Sequence, residues 1–246
     1  MFRFVLASAS EHPSLAEGQA PPGWLSPREQ AVLERLTRLP RRRKWLMGRW
    51  AAKRLLLDIL ASDEAPAWCF PAGPGHALPL PMQARDVCVL NDEAGAPYAE
   101  LEGVGRLALS LSISHRGELG LAAVTLLPAT LIGADLEVVE PRDPALVRHF
   151  FTDAEAAAVA RAGRPELTLN RIWSAKEAVL KALGVGLRLD TRHIEIGPEI
   201  DGAAPPGWTP LAVTLDAHLG GQSPGRLTLL WRDEGTHVLT VALLTR

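Results

Sequence analysis

The chain has 246 residues, a formal net charge of −2 and 47% hydrophobic residues, enough apolar material for one large domain or two small ones and too much for a disordered chain. Mean hydropathy is +0.06, and Arg, Glu or Pro interrupts every long apolar stretch, which excludes a hydrophobic membrane span. Cys69 and Cys88 show neither metal-ligand spacing nor a disulfide framework, so free thiols in a reducing, cytoplasmic compartment are expected.

Met1-Phe-Arg-Phe-Val-Leu-Ala-Ser is too short and apolar only in part for an export signal, and is expected as a first strand. Ser26-Pro27-Arg28-Glu29 then reads as an N-cap, a proline in the first turn and an acid at the third position, opening a helical region over residues 27–60. Within it every ionisable side chain from Arg35 to Arg54 is basic. Trp45, Leu46, Arg49, Trp50, Lys53 and Arg54 recur as on an amphipathic helix, which places the tryptophans mostly in the core and leaves arginines to flank an anionic ligand. Residues 65–83 are rich in Pro and Gly and are expected as an irregular surface excursion.

Leu109, Leu111 and Ile113 alternate as in a strand, ending at an expected turn that carries Ser114, His115 and Arg116, a hydroxyl, an imidazole and a guanidinium for an anion. A boundary is expected near Pro128, giving an N-terminal part, residues 1–130, and a C-terminal part, residues 131–246. In Leu131-Ile-Gly-Ala-Asp135-Leu-Glu137-Val the period of two puts Asp135 and Glu137 on one face, with Ile132, Ala134, Leu136 and Val138 toward the interior. Two like charges so placed call for a cation between them, and a hard divalent ion such as Mg2+ suits carboxylates and phosphates.

Thr152-Asp153-Ala-Glu155 starts a second helical region over residues 153–183, which Gly163-Arg-Pro165 breaks. In its last part Ile172, Val179, Leu180 and Leu183 form an apolar stripe that Gly184 stops. Trp173, Glu177 and Lys181, four apart, project from a neighbouring face as a carboxylate beside an ammonium. Four lysines occur in the whole chain, and two of them, Lys176 and Lys181, fall in this stretch; lysine is a compact charge that can release a proton. Strands follow at 193–196, 211–215, 226–231 and 238–244.

In order, Ser112-Ile-Ser114-His115, Gly133-Ala-Asp135-Leu-Glu137 and Trp173-Ser-Ala-Lys176-Glu177-Ala-Val-Leu-Lys181-Ala-Leu-Gly184 resemble the signature of the surfactin-type 4′-phosphopantetheinyl transferase superfamily. Phe150-Phe151-Thr-Asp-Ala-Glu155 is similar to its linking segment, Gly95-Ala-Pro97 to its Gly-Lys-Pro turn, and the basic helix from Arg41 to Arg54 to its coenzyme A-binding segment. The resemblance implies an α+β fold of two similar subdomains about a pseudo-twofold axis, with the active site in the cleft between them, able to work as a monomer. It implies transfer of phosphopantetheine from coenzyme A to a serine of an apo acyl or peptidyl carrier protein, releasing adenosine 3′,5′-bisphosphate. On that reading Asp135, Glu137 and Glu177 hold Mg2+, and Lys181 sits on a phosphate. His115, aided by Ser114, bonds a coenzyme A phosphate, and Arg49, with Arg43 and Lys53, holds the 3′-phosphate. Glu177 is the expected general base, with Glu155 or a metal-bound water as alternatives. Ala96 stands where the family commonly has lysine, so either Arg106 or Arg116 substitutes or coenzyme A is held less tightly. Two other classes compete. A Mg2+-dependent nucleotide hydrolase would use the same acids with water as nucleophile. A nucleic-acid-binding module would account for the basic helix but not for the three acids; neither nucleic acid nor membrane is an expected partner.

Overall fold

The computed structural model describes residues 2–62, 70, 82–216 and 225–246. The fold is α+β, and the chain folds into two compact units, Met1–Pro128 and Ala129–Arg246.

In the first unit β1 (Phe2–Ser8) pairs antiparallel with β6 (Leu119–Thr125), which pairs with β5 (Ser110–Arg116). A second sheet joins β2 (Val87–Asn91), β3 (Pro97–Leu101) and β4 (Gly105–Arg106). The single helical region expected over 27–60 is two helices. After the four-residue α1 (Pro13–Ala16), α2 spans Pro27–Arg35 behind a Ser26/Glu29 capping box, and α3 spans Leu39–Ala61 with Pro40 in its first turn. Pro40 explains the division: without an amide hydrogen it is tolerated at a helix start and not inside one, and Leu36 before it is extended. Leu46, Trp50, Leu55, Leu56 and Ile59 of α3 supply the centre of an apolar cluster with Val87, Val89, Ala122 and Val124 from the strands. Trp50 is in this core and Trp45 packs against it, as expected.

Ser114, His115 and Arg116 are the last residues of β5, paired with Leu121, Gly120 and Leu119, and not part of a turn as expected. The hairpin is tight, turning on Gly117 and Glu118 alone, so the ladder runs to its end. Cys88 is a buried free thiol; Cys69 and nearly all of the expected excursion over 65–83 lie outside the described residues.

The second unit is one antiparallel sheet of five strands in the order β7-β11-β10-β9-β8. These are β7 (Thr130–Val138), β8 (Ile194–Glu199), β9 (Thr209–Leu215), β10 (Arg226–Asp233) and β11 (His237–Thr245). Between β7 and β8 the chain forms α4 (Pro144–Phe150), α5 (Asp153–Arg161) and α6 (Pro165–Leu183). The predicted break at Gly163-Arg-Pro165 separates α5 from α6. Ile172, Val179 and Leu180 of α6 are buried with Ile194, Leu229, Val238 and Ala242 of the sheet. Among the described residues no helix is long and apolar enough to cross a membrane.

Candidate active site

Helix α6 lies directly on β7 because Gly133 has no side chain. A β-carbon there would stand 1.8 Å from the Ala178 carbonyl oxygen and 2.6 Å from the Ala182 nitrogen, so strand and helix backbones touch. Residues two apart on a strand share a face, and Asp135 and Glu137 therefore point the same way as Gly133, toward α6. This corrects the expected orientation. The acids are on the helix-facing side and are themselves buried, at 5% and 9% exposure, while Ile132, Ala134 and Leu136 are buried outside the helix-side cluster.

Trp173, Glu177 and Lys181 occupy one face of α6, a turn apart. The Trp173 indole donates from Nε1 to Glu137 Oε1 at 3.1 Å, and its ring lies 5.2 Å from that of Phe150. The Lys181 ammonium donates to Asp135 Oδ1 at 2.8 Å and to the Ala134 carbonyl at 2.9 Å. Glu177, half-buried, stands between them on the helix. Burial pushes its carboxyl above the ordinary range, the negative charge of Asp135 adds to this and Lys181 opposes it; Glu137 raises it further. All three expected acids are thus within electrostatic reach of one another. Gly184, in the left-handed region at φ 72°, ends the helix just beyond Lys181: its amide bonds the Lys181 carbonyl and that of Val185 bonds Leu180.

Three carboxylates supply the hard oxygen donors that Mg2+ takes, and their mutual repulsion, visible at Glu177, is what such an ion relieves. The donor set fits the ion. It is not gathered in advance, since among the described residues no three His, Cys, Asp or Glu side chains already converge as a metal requires. The protein's own cations engage two of the acids. Lys181 holds Asp135, and Arg142, which no sequence pattern singles out, forms an ion pair with Glu137 through Nη2. Arg142 also donates from Nε to the buried Asn170 amide oxygen at 2.7 Å.

Lys176, the other lysine of the motif, and Glu155, the alternative general base, are structural. Lys176 is fully buried, paired with Glu155 at 2.9 Å and bonded to the Thr191 and Ile194 carbonyls. Glu155 is spent in turn, accepting from the Thr152 and Ile196 amides, each at 2.8 Å, and at 1% exposure it cannot reach a substrate proton. The first unit contains the same device. Lys53, fully buried, pairs with Glu29 and bonds the Trp24 and Ala84 carbonyls, and Glu29 accepts from the Ser26 and Val89 amides. In both units a capping-box glutamate thus binds a buried lysine of the long helix and a strand amide. Lys53 is therefore corrected from phosphate ligand to core ion pair, because an ammonium at 0% exposure has no access to a nucleotide.

Arg49 is likewise a brace. It is 7% exposed, its Nε donates to the Val89 carbonyl, Nη2 bonds Asn91, and its guanidinium lies 4.5 Å over the Trp45 ring. Asn91 passes the contact on to the Gly95 carbonyl in the turn that carries Ala96. Burial brings the Arg49 pKa down to about 10, so it stays charged at neutral pH. Of the three expected 3′-phosphate ligands only Arg43 is exposed. Ser114 is buried, whereas His115 and Arg116 are half-buried. Arg106, offered as a substitute for the missing lysine at Ala96, is exposed and stacks 4.2 Å over Tyr98.

Residues 131–241, which contain Asp135, Glu137, Arg142, Glu177 and Lys181, match the model of the 4′-phosphopantetheinyl transferase superfamily. Over 62 residues the chain is 45% identical to a holo-[acyl-carrier-protein] synthase of Moorella thermoacetica, covering 25% of this chain and 48% of that protein. The chain thus spans about half the length of the curated relative it matches. Among solved structures, that of holo-[acyl-carrier-protein] synthase from Neisseria meningitidis aligns with a TM-score of 0.40 at 25% identity, over 47% of this chain and 97% of that one. The Helicobacter pylori enzyme in complex with coenzyme A aligns at 0.34 and 18% identity, over 51% and 98%. The likeness rests on the sequence match and not on these low scores: residues 131–241, a little under half of the chain, are similar to the 4′-phosphopantetheinyl transferase superfamily.

Proposed function

We propose that the protein transfers the 4′-phosphopantetheine group of coenzyme A to a serine hydroxyl of an apo carrier protein, releasing adenosine 3′,5′-bisphosphate. The observation that supports this most is the packing of α6 on β7, which bonds Lys181 to Asp135 and puts Glu177 within electrostatic reach of Asp135 and Glu137, inside the segment that matches the family. Mg2+, held by the three carboxylates, would supply charge neutralisation at the diphosphate. The remaining tasks fall to the chain. Lys181, already directed at Asp135, has its ammonium placed to follow negative charge onto a phosphate oxygen as the phosphorus–oxygen bond to the leaving phosphate breaks. Glu177, whose carboxyl is held above its ordinary range by burial and by Asp135, would take the proton of the incoming serine. His115, with Ser114 beside it, and the exposed Arg43 are assigned to coenzyme A phosphates.

The test is to incubate the purified protein with coenzyme A, Mg2+ and a panel of apo acyl and peptidyl carriers, and to weigh the carriers. Gain of one phosphopantetheine on a carrier serine is expected, lost in Glu177→Gln with its melting temperature unchanged. A nucleotide hydrolase would instead release product from coenzyme A with no carrier present, and near-normal transfer by Glu177→Gln would remove that residue from the reaction.

A further inference from the structure

The acidic cluster of the second unit holds cations of its own, and one of them belongs to no expected site. Lys181 sits on Asp135. Arg142, from the segment between β7 and α4, sits on Glu137, with its side chain only 15% exposed. Its place is built rather than incidental. Nη1 lies 3.4 Å from Glu140, and Nε donates to Asn170, whose own amide nitrogen donates to the Glu140 carbonyl at 2.7 Å and the Glu166 carbonyl at 2.8 Å. Asn170 is fully buried on α6, so the guanidinium is tied to the helix that carries Glu177 while it neutralises the strand that carries Glu137. With Trp173 on the other oxygen, both Glu137 oxygens have a donor from this chain.

Two resident cations offset two of the negative charges on these three carboxylates, which weakens the trap for a divalent ion. A diphosphate ester brings about two more negative charges. We propose that Arg142 is the resident counter-ion of Glu137 and sets when the divalent ion loads. It holds the site compensated in the free protein, so that the ion binds weakly alone and tightly only together with the diphosphate. This rests on the reading that a divalent ion enters among Asp135, Glu137 and Glu177. Its consequence is specific: removing the charge of Arg142 strengthens ion binding by the free protein, the reverse of what loss of a ligand or of a structural prop would do.

The experiment is titration of the full-length protein with Mn2+, followed by electron paramagnetic resonance or calorimetry, without and with coenzyme A, correcting for the ion's own affinity for coenzyme A. Without coenzyme A, Arg142→Gln is expected to bind Mn2+ about tenfold more tightly than wild type, the effect of one unit charge near a divalent ion in a water-like dielectric. Arg142→Lys should stay within about twofold of wild type, as its charge is kept. The gain should vanish when Glu137→Gln is combined with Arg142→Gln. Equal, weaker or absent Mn2+ binding by a folded Arg142→Gln overturns the proposal. Should that variant not fold, the wild type still decides, because coenzyme A must tighten its Mn2+ binding by more than about tenfold, and equal affinity overturns the proposal. Carrier modification by wild type with no gain in Arg142→Gln rejects this inference alone. The gain without carrier modification rejects the transferase reading alone.

Discussion

Gly133→Ala is the substitution most diagnostic of how the fold makes the site. The new methyl carbon would lie 1.8 Å from the Ala178 carbonyl oxygen and 2.6 Å from the Ala182 nitrogen, both backbone atoms of α6 that no rotamer change can move. An ordinary contact is 3.4–4 Å, so α6 must lift from β7 by more than about 1 Å. Overpacking against backbone costs about 1–3 kcal/mol. The same lift breaks the Lys181 bond to Asp135 and the Trp173 bond to Glu137, 2.8 and 3.1 Å long, adding about 1–2 kcal/mol. A total of roughly 2–5 kcal/mol should lower the urea midpoint by about 1–2 M, followed by far-ultraviolet circular dichroism. Carrier modification should fall further than the folded fraction does, because the surviving folded protein has its acids and lysine apart. Gly163→Ala, with nothing within 4 Å of the added carbon, is the control and should change neither. Wild-type stability and transfer in Gly133→Ala would refute the idea that this backbone contact assembles the site.

Lys176→Met should cost about 3–5 kcal/mol, because it leaves the Glu155 carboxylate buried without its cation, whereas Lys176→Met combined with Glu155→Leu should recover much of the loss; denaturant midpoints of the three proteins check this. Glu11→Gln should flatten the acid limb of the stability profile. The largest single influence on Glu11 is burial, which raises its pKa. The bonds from Trp50 and the Ser8 amide, with the charge of Arg54, outweigh it and hold the carboxyl below its usual value. A depressed folded pKa gives stability that is present above the unfolded value of about 4.3 and lost as pH falls through the folded one. Melting temperatures between about pH 5 and pH 3 should therefore drop less steeply in the variant than in wild type. Lys181→Met should abolish transfer while leaving far-ultraviolet circular dichroism unchanged, since the Lys181 side chain lies at the site's edge with 29% exposure.

Much of this was legible in the residues. The period of two in β7 put Asp135 and Glu137 on one face, the spacing of Trp173, Glu177 and Lys181 put those three on one face of α6, and Gly163-Arg-Pro165 and Gly184 marked the ends of that helix. The failures have identifiable causes. Lys176 is four residues after Ile172 and three before Val179, squarely on the apolar stripe, and that position outranks its charge. Lys53 likewise follows Leu46 and Trp50 and precedes Leu56 and Leu60 at core spacing. A lysine on a buried stripe signals an internal partner, and in each case the partner is the third residue of a capping box, a position visible in Ser26-Pro-Arg-Glu29 and Thr152-Asp-Ala-Glu155. The orientation of Asp135 and Glu137 was not legible, because both faces of β7 are buried and alternation cannot tell which one a helix covers. Gly133 was the available sign, as only a residue without a side chain admits a helix backbone at that distance. Arg142 lies outside any repeating pattern, and its contact with Asn170 spans 28 residues, which no local spacing reveals.

Where a divalent ion binds is the most direct test of how this site works. In crystals of the protein grown with coenzyme A and Mn2+, anomalous scattering should give one metal peak about 2.1–2.3 Å from oxygens of Asp135, Glu137 and Glu177, with a diphosphate oxygen completing the shell. A peak elsewhere, or coenzyme A bound with its diphosphate away from these three carboxylates, would contradict it.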